Sequence, residues 1–267
     1  MILEKIISQK KLEVAERRTL VPVKKLEQSP HFTAPIVSLV RYLRRPDKAG
    51  IIAEIKRRSP SKGDINPYIS VEKLSIGYMQ AGASALSILT DTEFFGGSNE
   101  DLLTARKYNY CPILRKDFIV DEYQIVEARS IGADAILLIA AALDEKQIRN
   151  LAAFAASLSL EVLLEVHEKA EIPADFENIS ILGVNNRNLK DFSVDTNRSF
   201  EIAASFPNEM PKISESGLND AETILELKKA GFSGFLIGEA FMRTSQPEIA
   251  CAELVKKVQS SRFKVQS

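Results

Sequence analysis

The chain has 267 residues, of which 45% are hydrophobic and 27% charged, a composition typical of soluble globular proteins. Its formal net charge is -1, so no sequence-wide positive field favours nucleic acid. Two cysteines, Cys111 and Cys251, and two histidines, His31 and His167, are too few for a disulfide framework or a zinc site. We therefore expect a cytoplasmic protein that binds neither nucleic acid nor metal.

The amino-terminal segment MILEKIISQKKLEVAERR is predicted to form an amphipathic helix, because its apolar residues recur near helical spacing. Glu4 and Lys5 interrupt any apolar core of signal-peptide length. A membrane-surface helix is the alternative, but such helices usually carry larger aromatic residues on the apolar face. We expect no membrane binding, a second short helix at Ile36–Arg44, and a helical extension over residues 1–48 that packs on the remaining domain.

From Gly50 onward, short apolar runs alternate with longer helical segments. Eight runs are predicted as strands: Ile51–Lys56, Ala85–Thr90, Pro112–Lys116, Ala135–Ile139, Glu161–Val166, Ile179–Asn185, Lys212–Glu215 and Gly234–Ile237. Helices between or after them include Val71–Ala81, Asp121–Ile131, Asp144–Ser157, Asp220–Ala230 and Pro247–Val258. Such alternation favours a parallel sheet covered by helices. Eight units, with no GxGxxG or P-loop pattern, predict a single (β/α)8 TIM barrel over residues 49–267, forming one domain with the extension.

Polar side chains stand where these strands end, which is where catalytic groups of (β/α)8 barrels lie. Glu54 and Lys56 are alternate residues of the first strand and therefore share a face. Lys116, Glu165 and Asn185 end the third, fifth and sixth strands. Singly, each could be a structural ion pair or a solvated strand end. Structural charges should scatter over both barrel ends, whereas these cluster at one, so we interpret them as a site.

The seventh and eighth strands end in the glycine-containing turns SESG (214–217) and IGE (237–239), each followed by a helical run. Their backbone amides could converge on one anion, and a phosphate site between the last two units recurs in this fold. We expect Ser216, Gly217, Gly238 and Glu239 to bind phosphate. Glu239 would act through its backbone amide, with its carboxylate turned away. Ordinary turns are the alternative.

Seven motifs along the chain resemble indole-3-glycerol phosphate synthase in order and spacing: AEIKRRSPSKG, LTDTEFFGGS, ILRKDFIV, LLEVH, GVNNRNL, SESGL and LIGEAFMR. The ILEKII start resembles the family's extra helical segment over the barrel mouth. Arg58 and Leu218 depart from residues that are frequent in the family, alanine and isoleucine, but neither is assigned to chemistry. SxSGx and IGExxM alone would indicate only a phosphate-binding barrel.

The resemblance implies a carboxy-lyase of tryptophan biosynthesis. It would close the ring of 1-(2-carboxyphenylamino)-1-deoxyribulose 5-phosphate, with loss of carbon dioxide and water, to give indole-3-glycerol phosphate. No metal or organic cofactor is implied, and association with other tryptophan-pathway enzymes is left open. Lys116 would be the acid that protonates the ketone. We expect its pKa to be lowered by partial burial and by the neighbouring cation Lys56.

Further roles follow from the same resemblance. Lys56 would face the substrate carboxylate or assist dehydration, Glu54 would hold the lysines, and Glu165 would be the base. Donors for the substrate hydroxyls and for developing negative charge would come from Asn185 and Arg187, and Arg187 is also expected to pair with Glu165. The remaining substrate-binding residues would be Phe95, Phe118 and Leu189, which form an apolar slot for the anthranilate ring, together with Ser59 and Ser216.

Two other functions remain open from the residues alone. Phosphoribosylanthranilate isomerase shares the phosphate site, but that family would be expected to place a cysteine at the end of the first strand. A non-catalytic barrel that keeps a phosphate pocket is the second, although a decayed relative should have lost Lys116 or Glu165. The basic loop from Arg57 to Asn66 is predicted to be a mobile flap over the substrate.

Overall fold

The computed structural model describes residues 2–265, so Met1 of the predicted extension and residues 266–267 of the predicted barrel lie outside the described residues. Eight parallel strands close into a barrel in chain order, and two short antiparallel strands form a hairpin beside it. The strands are β1 (Ile51–Ile55), β2 (Arg58–Ser59), β3 (Gly63–Asp64), β4 (Ala85–Leu89), β5 (Ile113–Lys116), β6 (Ala135–Ile139), β7 (Glu161–Val166), β8 (Ile181–Asn185), β9 (Lys212–Glu215) and β10 (Gly234–Ile237). The predicted (β/α)8 barrel is confirmed.

The helices that cover the barrel and its ends are α1 (Ile2–Leu20), α2 (Val23–Leu26), α3 (Leu39–Leu43), α4 (Val71–Gln80), α5 (Asn99–Tyr108), α6 (Glu122–Ser130), α7 (Glu145–Ser157), α8 (Asn197–Ala203), α9 (Ala221–Lys229), α10 (Glu239–Met242) and α11 (Pro247–Val265). Asp121, Asp144 and Asp220, predicted as helix starts, cap α6, α7 and α9 by accepting hydrogen bonds from backbone N–H groups. No helix within residues 2–265 is long and apolar enough to cross a membrane.

Several predicted bounds were wrong by one or more residues. The strands β6, β7, β9 and β10 have the predicted bounds, whereas β1, β4, β5 and β8 are shorter. The strand β5 begins after Pro112, which has no N–H to donate to the sheet, although its carbonyl accepts a hydrogen bond from Leu86 at 3.0 Å. The short helix predicted at Ile36–Arg44 covers only Leu39–Leu43, and α11 extends past the predicted end at Val258.

Alternate strand residues divide the core into an inner and an outer part, because successive side chains point to opposite faces of a strand. Ile51, Ala53 and Ile55 belong to the outer cluster between strands and helices, whereas Ile52 belongs to the inner one. The inner cluster also contains Ala85, Leu114, Ala135, Leu163, Ile181, Ile213 and Leu236, joined by Leu39 and Leu43 of α3. The barrel interior is therefore a packed core, and α3 seals one end of it.

The helices α1 and α3 lie at opposite ends of the barrel. Near α3, the backbone N–H of Val40 donates to the carboxylate of Glu161, which begins β7, at 3.0 Å. Ile2, Leu3 and Ile6 of α1 instead line a cavity at the carboxyl ends of the strands. The start of the chain thus covers the barrel mouth, while the segment before β1 closes the bottom.

Candidate active site

A cavity of about 630 Å³ opens at the carboxyl ends of the barrel strands. Every residue predicted for the site lines it: Glu54, Lys56, Ser59, Phe95, Lys116, Phe118, Glu165, Asn185, Arg187, Leu189, Ser216, Gly217, Gly238 and Glu239. The structure therefore brings together residues from seven strand ends and the loops after them. Among residues 2–265, no group of three or more His, Cys, Asp and Glu side chains is arranged to hold a metal ion.

Lys116 lines this cavity and lies between two carboxylates. Its Nζ lies 2.8 Å from Oε2 of Glu165 and 3.0 Å from Oε2 of Glu215. Burial alone would lower the pKa of Lys116, but Glu165, Glu215 and Glu54 outweigh burial and raise that pKa above its ordinary value. The prediction of a lowered pKa was wrong, because carboxylates surround this lysine. Lys56, the expected neighbouring cation, pairs with Oε1 of Glu54 at 2.9 Å.

Glu165 is held on both of its carboxylate oxygens. Oε2 accepts from Lys116, and Oε1 accepts a 3.1 Å hydrogen bond from Nδ2 of Asn185. Burial would raise the pKa of Glu165, but Lys116 and then His167 outweigh burial and hold that pKa well below its usual range. The carboxylate is therefore ionised at neutral pH and fixed in orientation.

Glu215 is a carboxylate of this cavity that the sequence analysis did not assign to the site. It ends β9 within the SESG turn, is 2% exposed, and leaves Oε1 without a hydrogen-bond partner among the described residues. Burial raises its pKa, and repulsion from Glu165 adds to this against the opposing charge of Lys116. Glu54, Lys116, Glu165 and Glu215 come from alternate barrel strands, as the four members of one interior layer do in this fold. That layer rule was the signal that could have found Glu215.

The expected pairing of Arg187 with Glu165 was also wrong. Nη2 of Arg187 lies 3.2 Å from Oε2 of Glu239, and Nη2 of Arg243 lies 2.7 Å from Oε1 of the same carboxylate. The backbone N–H of Arg187 donates to Oδ1 of Asn185 at 3.0 Å. Arg187 thus connects the loop after β8 to the start of α10. That the Glu239 carboxylate turns away from bound phosphate remains a prediction.

The two predicted phosphate-binding turns have geometries that depend on small residues. Ser216 and Gly217 both have positive φ, 69° and 78°, and a Cβ on Gly217 would lie 2.5 Å from Cγ1 of Val194. Nδ2 of Asn186 donates to the Ser216 carbonyl at 3.0 Å, which fixes the turn. A Cβ on Gly238 would lie 2.5 Å from Oε1 of Glu54. Glycine is therefore required at both turns for them to pack against Val194 and Glu54.

Phe95 and Phe118 form the apolar side of the cavity, with ring centroids 5.9 Å apart. Each is held by a neighbouring carboxylate: Asp91 accepts from the N–H of Phe95 at 3.2 Å, and Asp117 accepts from the N–H of Phe118 at 2.8 Å. Nζ of Lys10, on α1, lies 2.8 Å from Asp91 Oδ2 and 3.0 Å from Asp117 Oδ1. One buried lysine of the amino-terminal helix therefore joins the two loops that carry the aromatic rings.

The predicted flap contains the β2–β3 hairpin, whose start is anchored. Arg57 pairs with Asp101 of α5, with Nη2 at 2.9 Å from Oδ1, and its carbonyl accepts from the N–H of Ile65 at 2.8 Å. Ser59 is buried beside the cavity, whereas Lys62, Gly63 and Asp64 at the tip are largely or fully exposed. Motion of this loop remains a prediction.

Carboxylates and lysines meet at the mouth of a barrel whose last two strands end in glycine turns, and these features define the class: a (β/α)8-barrel enzyme for acid–base chemistry on a phosphosugar-type substrate. The family model for indole-3-glycerol phosphate synthase matches residues 3–254, and the chain belongs to this family. Membership of this family argues against the alternative function, that of phosphoribosylanthranilate isomerase.

Curated relatives agree over nearly the whole chain. The indole-3-glycerol phosphate synthase of Bacteroides thetaiotaomicron is 46% identical over 258 residues, covering 97% of this chain and 99% of the relative. Those of Magnetococcus marinus and Polaromonas naphthalenivorans are 44% and 40% identical, each covering 95% of this chain and 97% and 98% of their own lengths.

Solved structures share the barrel at low sequence identity. Thiamine phosphate pyrophosphorylase from Pyrococcus furiosus has a TM-score of 0.60 at 17% identity, covering 84% of this chain and 98% of its own. A mutant tryptophan synthase alpha-subunit from the same organism has a TM-score of 0.57 at 11% identity, covering 80% of this chain and 98% of its own. These likenesses show the fold alone.

Proposed function

We propose that this chain converts 1-(2-carboxyphenylamino)-1-deoxyribulose 5-phosphate to indole-3-glycerol phosphate, releasing one carbon dioxide and one water, in tryptophan biosynthesis. The observation that carries the proposal is the position of Lys116, which lies between two carboxylates in a cavity that is also lined by Phe95 and Phe118. Family membership places the chain among carboxy-lyases.

Lys116 is the proposed acid of ring closure. Its charged ammonium group would donate a proton to the ketone oxygen as the ring carbon attacks, and the raised pKa of Lys116 in the free site means that substrate must weaken its contacts with the carboxylates. Lys56 lies beside Glu54 at the same barrel mouth and is proposed to face the substrate carboxylate, or to assist departure of the hydroxyl during dehydration. Glu54 is proposed to hold Lys56 in place.

Glu165 is the proposed base. After decarboxylation the new ring must lose a proton and a hydroxyl to become aromatic, which calls for an ionised carboxylate near the closing ring. The contacts of Glu165 with Lys116 and Asn185 support this role, because they fix the carboxylate and keep it charged.

Substrate binding is proposed to use both sides of the cavity. Phe95, Phe118 and Leu189 would take the anthranilate ring, which the tilted pair of phenylalanine rings supports. Donors from Asn185 and Arg187 would bind the substrate hydroxyls, and Ser59 would also contact the substrate. Phosphate would be bound by the backbone of Ser216, Gly217, Gly238 and Glu239, which line the cavity at the ends of β9 and β10.

The proposal also includes a cytoplasmic location and a small-molecule substrate, without nucleic-acid or membrane partners. The formal net charge of -1 supports the exclusion of nucleic acid. Association with other tryptophan-pathway enzymes is compatible with the proposed reaction.

Indole fluorescence tests the function directly, because the chain has no tryptophan and the protein background is low. Adding the carboxyphenylamino substrate to the wild type should give product, and Lys116→Ala should lower kcat by about 10²-fold to 10⁴-fold while remaining folded. Lys146→Ala, at an exposed lysine of α7, is the matched control and should keep wild-type activity. A folded wild type that binds the compound but gives no product would contradict the proposal and favour the non-catalytic barrel.

A further inference from the structure

His167 directly follows β7, two residues after Glu165, and is 4% exposed. Its ring lies between two carboxylates: Nε2 is 3.4 Å from Oε1 of Glu165, and Nδ1 is 3.4 Å from Oε2 of Glu171. Neither ring nitrogen has a hydrogen-bond partner among the residues the structure describes. The backbone N–H of His167 donates to the same Glu171 oxygen at 2.6 Å, which fixes Glu171 beside the ring.

The charge state of the ring follows from this geometry. A neutral imidazole has one N–H and one lone pair, so one of its nitrogens would turn a lone pair toward a carboxylate oxygen. An imidazolium turns an N–H toward both carboxylates. Two carboxylates within 3.4 Å therefore favour the charged ring by electrostatic attraction.

Charges of both signs lie near His167. Burial would lower the pKa of His167, but Glu171, Glu165 and Glu215 outweigh burial and raise that pKa. Arg198 of α8 contacts the backbone carbonyl of His167, with Nη1 at 3.3 Å. Lys116 lies on the far side of Glu165, so the sign of the charge alternates from Glu171 through His167 and Glu165 to Lys116.

We propose that His167 is a positioning residue: its imidazolium, held by Glu171, keeps Glu165 ionised and turned toward Lys116. The inference deepens the proposed function, since it rests on Glu165 as the base. His167 itself lies outside the residues that line the cavity and acts through Glu165. Glu171 is partly exposed and lies on the other side of the His167 ring from Glu165. Its negative charge favours the imidazolium form of that ring.

Histidine NMR tests the charge state without any turnover, because the chain has only two histidines. Burial and the neighbouring Arg106 and Arg129 lower the pKa of His31, so the two rings should titrate apart, and His31→Gln assigns the signals. The His167 signal should titrate above about 6.5 in the wild type. Its midpoint should fall by about one pH unit or more in both Glu165→Gln and Glu171→Gln. A His167 midpoint at or below the ordinary value, or one unmoved by both substitutions, would overturn the proposal.

The pH profile of kcat/KM tests the effect on the base. Without the imidazolium the pKa of Glu165 should rise, so in His167→Gln the acidic limb should move to higher pH by about one unit, with KM nearly unchanged. Glu171→Gln should move the acidic limb in the same direction by a smaller amount. Because this variant retains the His167 ring, it also serves as the test if His167→Gln does not fold. His31→Gln is the control. Profiles of both variants that overlay the wild type would contradict the proposal, whereas a wild type without turnover would contradict the proposed function and leave the NMR test standing.

Discussion

One atom of Glu54 lies between the proposed phosphate-binding turn at Gly238 and Lys56. Its Oε1 lies 2.9 Å from Nζ of Lys56 and would lie 2.5 Å from a methyl group on Gly238. The sequence predicted Glu54 and Gly238 at the barrel mouth, because Glu54 lies near the end of an apolar strand and Gly238 directly follows another. It did not predict their contact, because β1 and β10 become neighbours only when the barrel closes.

Gly238→Ala should therefore impair catalysis by displacing Glu54 from Lys56. A shift of about 1 Å at a catalytic group can cost about 10²-fold in rate, and we expect a loss of that order in kcat/KM. Steady-state kinetics of Gly238→Ala, Glu54→Gln and the double variant form the test. If the methyl acts through Glu54, the double variant should be no worse than Glu54→Gln. Losses that simply multiply would contradict the link.

At the scale of the elements, α1 is joined to the barrel by a buried cation. We propose that residues 1–48 are an extension packed on the barrel of residues 49–267. The ion pairs of Lys10 support this packing most directly. Lys10 is 2% exposed and pairs with Asp91 and Asp117, which follow β4 and β5. Burial would lower the pKa of Lys10, but the two aspartates outweigh burial and raise it.

Lys10→Met should lower the free energy of unfolding by about 3–5 kcal/mol at pH 7, because it removes the cation from buried Asp91 and leaves buried Asp117 with Arg115 alone. Urea unfolding measures this, with exposed Lys11→Met as the control. Burial would raise the pKa of Asp117, but Lys10 and then Arg115 outweigh burial and lower it to about 2. Its stabilising contribution is therefore present above the unfolded pKa of about 3.9 and is lost as pH falls toward 2. The difference between wild type and variant should shrink over that range, and a constant difference would contradict the ion-pair account.

Helix starts were predictable where the capping residue is local to the chain, as at Asp121, Asp144 and Asp220. The helices α5 and α8 were not predicted. The helix α5 buries only Leu102 and Ala105, so its apolar pattern is weak, and α8 has only seven residues. The hairpin formed by β2 and β3 was also missed, because each of its strands has only two residues.

At the scale of the whole molecule, barrel closure converts a list of strand ends into a site. The repeat of eight apolar strands predicted the fold, and the shared barrel end predicted that Lys116, Glu165 and Asn185 would meet. The pKa of Lys116 depended on a third element, since Glu215 is 99 positions away along the chain and 3.0 Å away in space. Contacts between side chains on opposite sides of the barrel depend on strand register and barrel closure. Local sequence patterns do not predict these two features.

Labelled carbon dioxide measured alongside indole formation tests the central claim most directly. With substrate carrying ¹³C in its carboxylate, a single turnover of the wild type should release one labelled carbon dioxide for each indole ring formed, and folded Lys116→Ala should yield neither at the wild-type rate. Indole formed without labelled carbon dioxide, or equal rates in the wild type and Lys116→Ala, would contradict the proposed reaction and the place of Lys116 at its centre.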